Sequence, residues 1–504
     1  MADRWNFGTS YTALYVDGPD SPLSISHETG APVQLSTSSD ASTSVVQLDP
    51  GMTITWEARV PLYARATQLK YTSVVVESQR KIHASLPQGR TSPRGVMNVN
   101  GSQLFTTPFP TGWVAADANI TVTTGYTSDY VLGDSSVYLA SNTSNPSTQC
   151  NYQNLNVGAA APAGYGADID MADSDIILVW KPINLDNAAK VNFYVGWGAS
   201  SLQNNALWIV YDSAYGAGLD SHVRIGEWCY TPLNFADAII TGDMSTRVIN
   251  DVRVQLKVLG AGPPVEILFG GFIVRPRRDT GTFVFSADDN DLSMWTQFRP
   301  ALGTFRASLF AIADTVGGAG KLTWDQVDQL RTLGWEIGGH ASRLANHNLR
   351  FTTLTDSVMD AEAQNLRSWL ALAGGSAGVA YPGGYFSADV IRSLRGYFSY
   401  GRSIYSLQKH TILPPVDPYR IPAVSSITDG VGGTPLAAFQ AMIDKCVAEK
   451  SLLVSVFHVI TTGAPAATTQ CSRAALDAIV AQVRGYVNAG TLQVKTLDEA
   501  LRGY

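Results

Sequence analysis

The sequence predicts a multidomain protein: an all-β N-terminal portion of the sandwich or jelly-roll kind, followed by a distorted (β/α) barrel. Three observations carry this. The 504 residues are enough for about three domains at roughly 150 residues each. Before about residue 280, short runs of alternating polar and apolar residues are cut by Gly, Asn, Asp and Pro roughly every ten residues, which is the pattern of an antiparallel β protein. Beyond it, apolar strands alternate with helical patterns, as in a parallel sheet whose site lies at the strands' C-terminal ends.

The predicted β runs are 53–59, 74–77, 120–123, 176–180, 191–196, 207–211, 252–258 and 265–274. The polar stretch 79–94 has no apolar face and reads as a connector. The chain thus divides into an N-terminal β region at 1–108, suited to attachment or oligomerisation, a jelly-roll-like module at 109–278, and a catalytic domain at 279–504. Trp180, Trp197 and Trp208 sit in apolar strands and are expected in the core. Tyr126, Tyr130 and Tyr215 lie in turns and are the candidates for stacking on sugar rings. In the third region, strands are expected at 282–285, 307–312, 379–381 and 452–457. Helices are expected at 324–333, 356–371, 388–394, 439–450 and 474–486.

Composition narrows the function. Charged residues are 15 % of the chain and the net charge is −7, so an electrostatic nucleic-acid binder is excluded. A 45 % hydrophobic content excludes global disorder. The four cysteines, Cys150, Cys229, Cys446 and Cys471, show no CxxC or CxxH spacing. No stretch reaches the roughly 18 apolar residues of a membrane span. Met1 to Ser10 has no basic-then-apolar pattern, so no signal peptide is expected.

The chemistry concentrates in four segments. The apolar run from Phe283 ends in Asp288, Asp289 and Asn290, and at a strand end adjacent side chains point in different directions. Thr323 can cap a helix that Gly334 stops, after which a short strand through Gly338 and Gly339 delivers His340. His347 follows, then Asn348 and Leu349. The strand into Ala380 ends in Tyr381, Pro382, Gly383 and Gly384, a turn whose backbone N–H groups suit an oxyanion. The run from Leu452 to Ile460 reads as a continuous apolar strand interrupted by one histidine, His458.

In this order the segments resemble the polysaccharide deacetylase (NodB-type carbohydrate esterase) family over residues 280–504. Ser286 to Asn290 matches its Thr-Phe-Asp-Asp-Gly motif, Gly334 to His340 its Gly-His-Glu-Ile-Gly-x-His segment, Val456 to His458 its closing Leu-x-His strand, and Val494 to Glu499 its usual C-terminal ending. The chain departs from the family twice. Its two histidines are seven apart rather than four, a span of about 10 Å along a regular helix, which calls for a bulging insertion with slack from Gly338 and Gly339. Ala380 stands where many members carry an arginine.

The resemblance implies a divalent metal, most simply zinc, on Asp289, His340 and His347, with Asp288 as general base and His458 as general acid. It places the oxyanion at a backbone N–H near Gly383, with Tyr381, Pro382 and Gly384 against the substrate. Arg420 is the candidate to replace the missing arginine, and Asp417 the candidate to orient His458. The implied substrate is an acetylated polysaccharide of a bacterial surface or capsule. A β-rich half without an export signal fits a phage tail-associated depolymerase, in the virion or outside the cell, as a homotrimer contacting other tail proteins. Two further readings stand beside it: a receptor-binding adhesin with an inactive deacetylase fold, and an O-acetyl esterase on another glycan.

Overall fold

The computed structural model describes residues 115–502 except 116–117, 132–134, 142–148, 155–168, 172–173, 198–201, 216–222, 246, 250, 405–406 and 431, and at 149–154, 169–170, 215, 248 and 251 it describes the backbone alone. For the remainder it gives strand ranges and backbone pairing only. The chain forms two compact units, Met1–Arg90 and Thr91–Tyr504. In the first, two four-stranded antiparallel arrangements are traced. The side chains of the expected runs 53–59 and 74–77, and the connector 79–94, lie outside the described residues.

The second unit begins with two six-stranded antiparallel sheets. In one, Ser174–Asn184 is paired on one side by Cys229–Leu233 and on the other by Glu266–Pro276. In the other, Ala188–Trp197 lies between Asn204–Asp212 and Asp251–Val258. Period-two alternation, reset by a bulge where Val179 pairs Gly271 and Trp180 pairs Phe269, sends Phe193, Trp208, Phe269 and Phe272 into one shared core. Trp180, Trp197 and Trp208 are each 1 % exposed. Their indole N–H groups donate to Thr231 Oγ1, the Asp243 carbonyl and the Asn234 carbonyl, so these large rings bury no orphan donor. Tyr130, expected at the surface, is buried, and Tyr126 stacks on Tyr138. The side chain of Tyr215 lies outside the described residues.

The C-terminal portion is built on a curled, mostly parallel sheet. Its strands are β1 (Gly281–Asp288), β2 (Ala307–Ile312), β3 (Glu336–Ala341), β4 (Gly378–Ala380), β5 (Tyr400–Arg402), β6 (His410–Thr411), β7 (Leu452–Phe457) and β8 (Leu492–Val494). They lie in the order β5-β4-β3-β2-β1-β7-β6, with β8 also pairing β1. Only β6 runs antiparallel to its neighbour. β1, β2, β3 and β7 are buried along their whole length, as expected of strands covered on both faces.

The helices that matter for the site are α1 (Trp324–Thr332), α2 (Leu344–Leu349) and α3 (Asp356–Leu372). α1 begins with a capping box in which Thr323 and Gln326 satisfy each other's backbone N–H groups. Gly334, at φ +83°, ends that turn, and after Trp335 the chain enters β3. Among the described residues, no helix is long and apolar enough to cross a membrane.

The sandwich docks on the curled parallel sheet and its helices through buried charge. Arg277 pairs with Asp175 and Glu449, and Arg247 makes a bidentate pair with the same Glu449. His410 Nδ1 meets Asp237 Oδ1 at 2.8 Å across the same junction.

Candidate active site and metal centre

All the side chains of interest arise at the carboxyl ends of the parallel strands. β1 runs as buried apolar residues, with Phe283 and Phe285 packed edge to face, and ends in Asp288. The backbone then turns through left-handed conformations at Asp289 (φ 67°) and Asn290 (φ 42°). Aspartate and asparagine tolerate this region better than most residues. Asn290 pins the turn: its side chain accepts from the Ile312 N–H and hydrogen-bonds Thr315 Oγ1. Lys321 Nζ donates to the Asp289 carbonyl. The two neighbouring carboxylates therefore face different surroundings.

Asp288 is 3 % exposed and receives Arg402 Nη2 on both oxygens, at 2.7 and 2.6 Å. Burial alone would push its carboxyl up. The charges of Arg402, His340 and His458, with the Arg402 hydrogen bond, outweigh burial and hold it below the usual range. Arg402 itself is fully buried, beside the Phe310 ring.

β3 reaches the site only because it carries two glycines. A Cβ on Gly338 would lie 2.5 Å from Phe310, and one on Gly339 2.7 Å from Leu366. His340 follows. Its Nδ1 meets the Ala380 carbonyl at 2.8 Å; a carbonyl only accepts, so Nδ1 carries the proton and the Nε2 lone pair faces the acidic residues. Burial lowers the His340 pKa against the pull of Asp288 and Asp289, which favours the neutral ring that a metal needs.

The expected slack at Gly338 and Gly339 is corrected by the structure, since both are paired inside β3. The extra length lies after His340. Ala341 closes the strand, Ser342 and Arg343 turn, and α2 presents His347. This loop is clamped rather than loose. Glu362, 1 % exposed on α3, accepts from the Ser342 N–H and hydroxyl and from Asn346 Nδ2. Asp314 accepts from the Leu344 N–H and donates its own N–H to the Ser342 carbonyl.

As a result His340 Nε2 and His347 Nε2 lie 3.6 and 3.5 Å from Asp289 Oδ1. The three ligand atoms fall within 4.8 Å of one another. Tetrahedral bonds of about 2.1 Å would separate ligand atoms by about 3.4 Å. Asp289 Oδ1 is buried without a hydrogen-bond partner, a costly state for a carboxylate oxygen unless a cation satisfies it. The donor set fits a divalent ion.

His458 follows β7, half-buried. Its Nδ1 has no hydrogen-bond partner among the described residues. Asp417 is not brought to it: that carboxylate accepts from the Tyr419 N–H at 2.9 Å and pairs with Arg420 at 3.2 Å. Nor does Arg420 take the place of the missing arginine at Asp288, where Arg402 stands instead. Tyr381 is a core residue, its ring beside Phe386 and its hydroxyl donating to the Tyr419 carbonyl. Pro382 and Gly384 are buried and Gly383, at φ 62°, is exposed between them. The Gly384 and Tyr385 N–H groups are used inside the turn, on the Tyr381 and Pro382 carbonyls; the Gly383 N–H is not among these.

Sequence reading missed Arg402 and Glu362. Glu362 left a signal: it stands at a helical core position beside Met359, Ala363 and Leu366, where an acid needs a buried partner. Arg402 left almost none, because its strand is three residues long.

No family model and no curated protein matches the sequence. Among solved structures, the chain is similar to the chitin deacetylase of the fungal pathogen Colletotrichum lindemuthianum, at 12 % identity and a TM-score of 0.31 over 45 % of this chain and 90 % of that one. It is also similar to Streptococcus pyogenes deacetylase PplD in complex with acetate, at 16 % identity and a TM-score of 0.24, over 28 % of this chain and 63 % of that one. A polysaccharide deacetylase from Bacillus cereus gives 9 % identity and a TM-score of 0.25 over 60 % and 93 %. At such scores the chemistry has to be read from the side chains themselves.

Proposed function

We propose that the protein is a metal-dependent deacetylase acting on acetylated polysaccharide. The observation that supports this most is the convergence of Asp289 Oδ1, His340 Nε2 and His347 Nε2 next to a second carboxylate, Asp288, paired with a buried arginine. In this reading Asp289, His340 and His347 hold the ion. A bound divalent ion, zinc by its nitrogen and oxygen donors, supplies Lewis acidity to an acyl oxygen and makes water more acidic.

The rest is done by the chain. Asp288, kept ionised by Arg402, is the general base that accepts the proton of the attacking water. His458 protonates the departing amine or alkoxide. The Gly383 N–H, on an exposed left-handed turn, donates to the developing oxyanion. Arg402 is a positioning residue that fixes the carboxylate of Asp288. N-acetyl and O-acetyl groups leave through the same kind of tetrahedral intermediate, so the site suits both. We place the substrate among bacterial surface or capsular glycans and the protein on a phage tail; acetate release across a panel of host polysaccharides tests that assignment.

The decisive experiment pairs metal analysis with acetate release. Asp288→Asn and His458→Gln should keep the metal while turnover falls about 10²–10⁴-fold; His458→Gln should also keep the wild-type melting temperature, whereas Asp288→Asn, which takes the charge partner from buried Arg402, should melt lower. His347→Ala should lose the metal. Full turnover in both of the first two variants would overturn the assigned roles.

A further inference from the structure

The rim of this site carries a cation that the reaction does not use. Arg350 directly follows α2, three residues after His347. Its backbone holds φ 67° and ψ 144°, a conformation costly for a side chain other than glycine. It is fixed there from both sides: its N–H donates to the His347 carbonyl, and its own carbonyl accepts from the Thr353 N–H and hydroxyl. The backbone is thus fixed at this point, three residues from His347.

The guanidinium ends 3.9 Å from the centroid of the Tyr385 ring, stacked on its face. Its Nε would lie 3.7 Å from a Cβ on Gly383, so it stands beside the Pro382–Gly384 turn. Arg350 is exposed and forms no ion pair among the described residues. Stacking leaves the edge of the guanidinium, with its fork of N–H donors, unspent. Such a fork matches the paired oxygens of a carboxylate or phosphate.

Building on the deacetylase reading above, we propose that Arg350 selects an anionic glycan: a polysaccharide carrying a carboxylate or phosphate on the sugar next to the acetylated one. Arg350 binds that anion while Asp288 and His458 act on the acetyl group. Tyr385 is the platform that keeps the fork in place.

The test measures binding separately from turnover. Calorimetry is run on the Asp288→Asn protein with three probes: a neutral N-acetylglucosamine oligomer, an N-acetylated oligosaccharide bearing uronic carboxylates, and one bearing phosphodiesters. At least one acidic probe should bind ten-fold or more tighter than the neutral one, with the preference shrinking at high salt. Adding Arg350→Gln should bring the acidic-to-neutral ratio close to one at an unchanged melting temperature. Arg350→Lys, which keeps the charge and loses the fork, should give an intermediate ratio and serves if the glutamine variant misfolds. Which acidic probe gains decides between carboxylate and phosphate. Equal binding of all three probes, no binding of any, or a preference that survives Arg350→Gln overturns the proposal. Acid preference without acetate release by the wild-type protein would refute the deacetylase reading and leave this one standing; acetate release without acid preference would do the reverse.

Discussion

Arg402 carries the heaviest load of any single side chain. It is fully buried and is the ion-pair partner of Asp288. Arg402→Met should cost about 3–5 kcal/mol in denaturant unfolding, because it leaves a buried carboxylate without its cation, and should cut turnover with it. A variant of wild-type stability would show that Asp288 is solvated by other means. Glu336 offers a pH test away from the metal ligands. It accepts from Ser308, Ser376, Tyr400 and the Asp498 N–H, yet burial pushes its carboxyl from 4.5 up to about 7. The folded chain thus holds that proton more tightly than the unfolded one. The stability this contributes is full below about 4.5 and is lost as the pH rises through about 7. From pH 5 to pH 8, wild type should lose on the order of 2 kcal/mol more than Glu336→Gln; parallel pH curves would show that no such proton is held. The acidic pair and His340 were legible in the sequence, since each stands at or within one residue of a strand's end. Arg402 was not, because it meets Asp288 across 114 residues.

At the scale of the element, the segment from β3 through α2 explains how histidines seven residues apart come together. The strand ends, the chain turns, and a short helix brings His347 back over Asp289. Glu362 closes this arrangement from α3. Glu362→Ala should weaken zinc binding about 10–100-fold in a chelator competition and free Ser342 and Asn346 to exchange their hydrogen bonds with water. If zinc affinity holds while the melting temperature drops, the clamp is structural only. Gly339→Ala should destabilise by about 1–3 kcal/mol in thermal or denaturant unfolding through its clash with Leu366, whereas an exposed glycine with open space around it would tolerate the change. The helix bounds follow the sequence closely where a cap or a breaker marks them, as at Thr323 and Gly334. α2 was not foreseen, because its six residues bury no side chain and so leave no apolar period to read.

Across the molecule, the junction between the sandwich and the C-terminal portion rests on Glu449, which takes both Arg247 and Arg277. Asp175 on the sandwich side is pushed up to about 6 by burial against the pull of Arg277 and Arg275. Glu449→Gln should lower the melting temperature and split calorimetric unfolding into separate transitions of the sandwich and the C-terminal portion; a single unshifted transition would mean the interface holds without it. The sequence by itself determined where β texture gives way to strand–helix alternation, and which strands end in chemically useful residues. Both are local properties, set by periodicity of two or 3.6 residues and by caps within a few positions. Only the tertiary structure decided that Arg402 rather than Arg420 serves Asp288, that Tyr381 is a core residue, and that Asp417 is committed to Arg420. Ion pairs of this kind join strands far apart in the chain, and their partners are chosen by which strand ends the curled sheet brings side by side, a choice that no local pattern encodes.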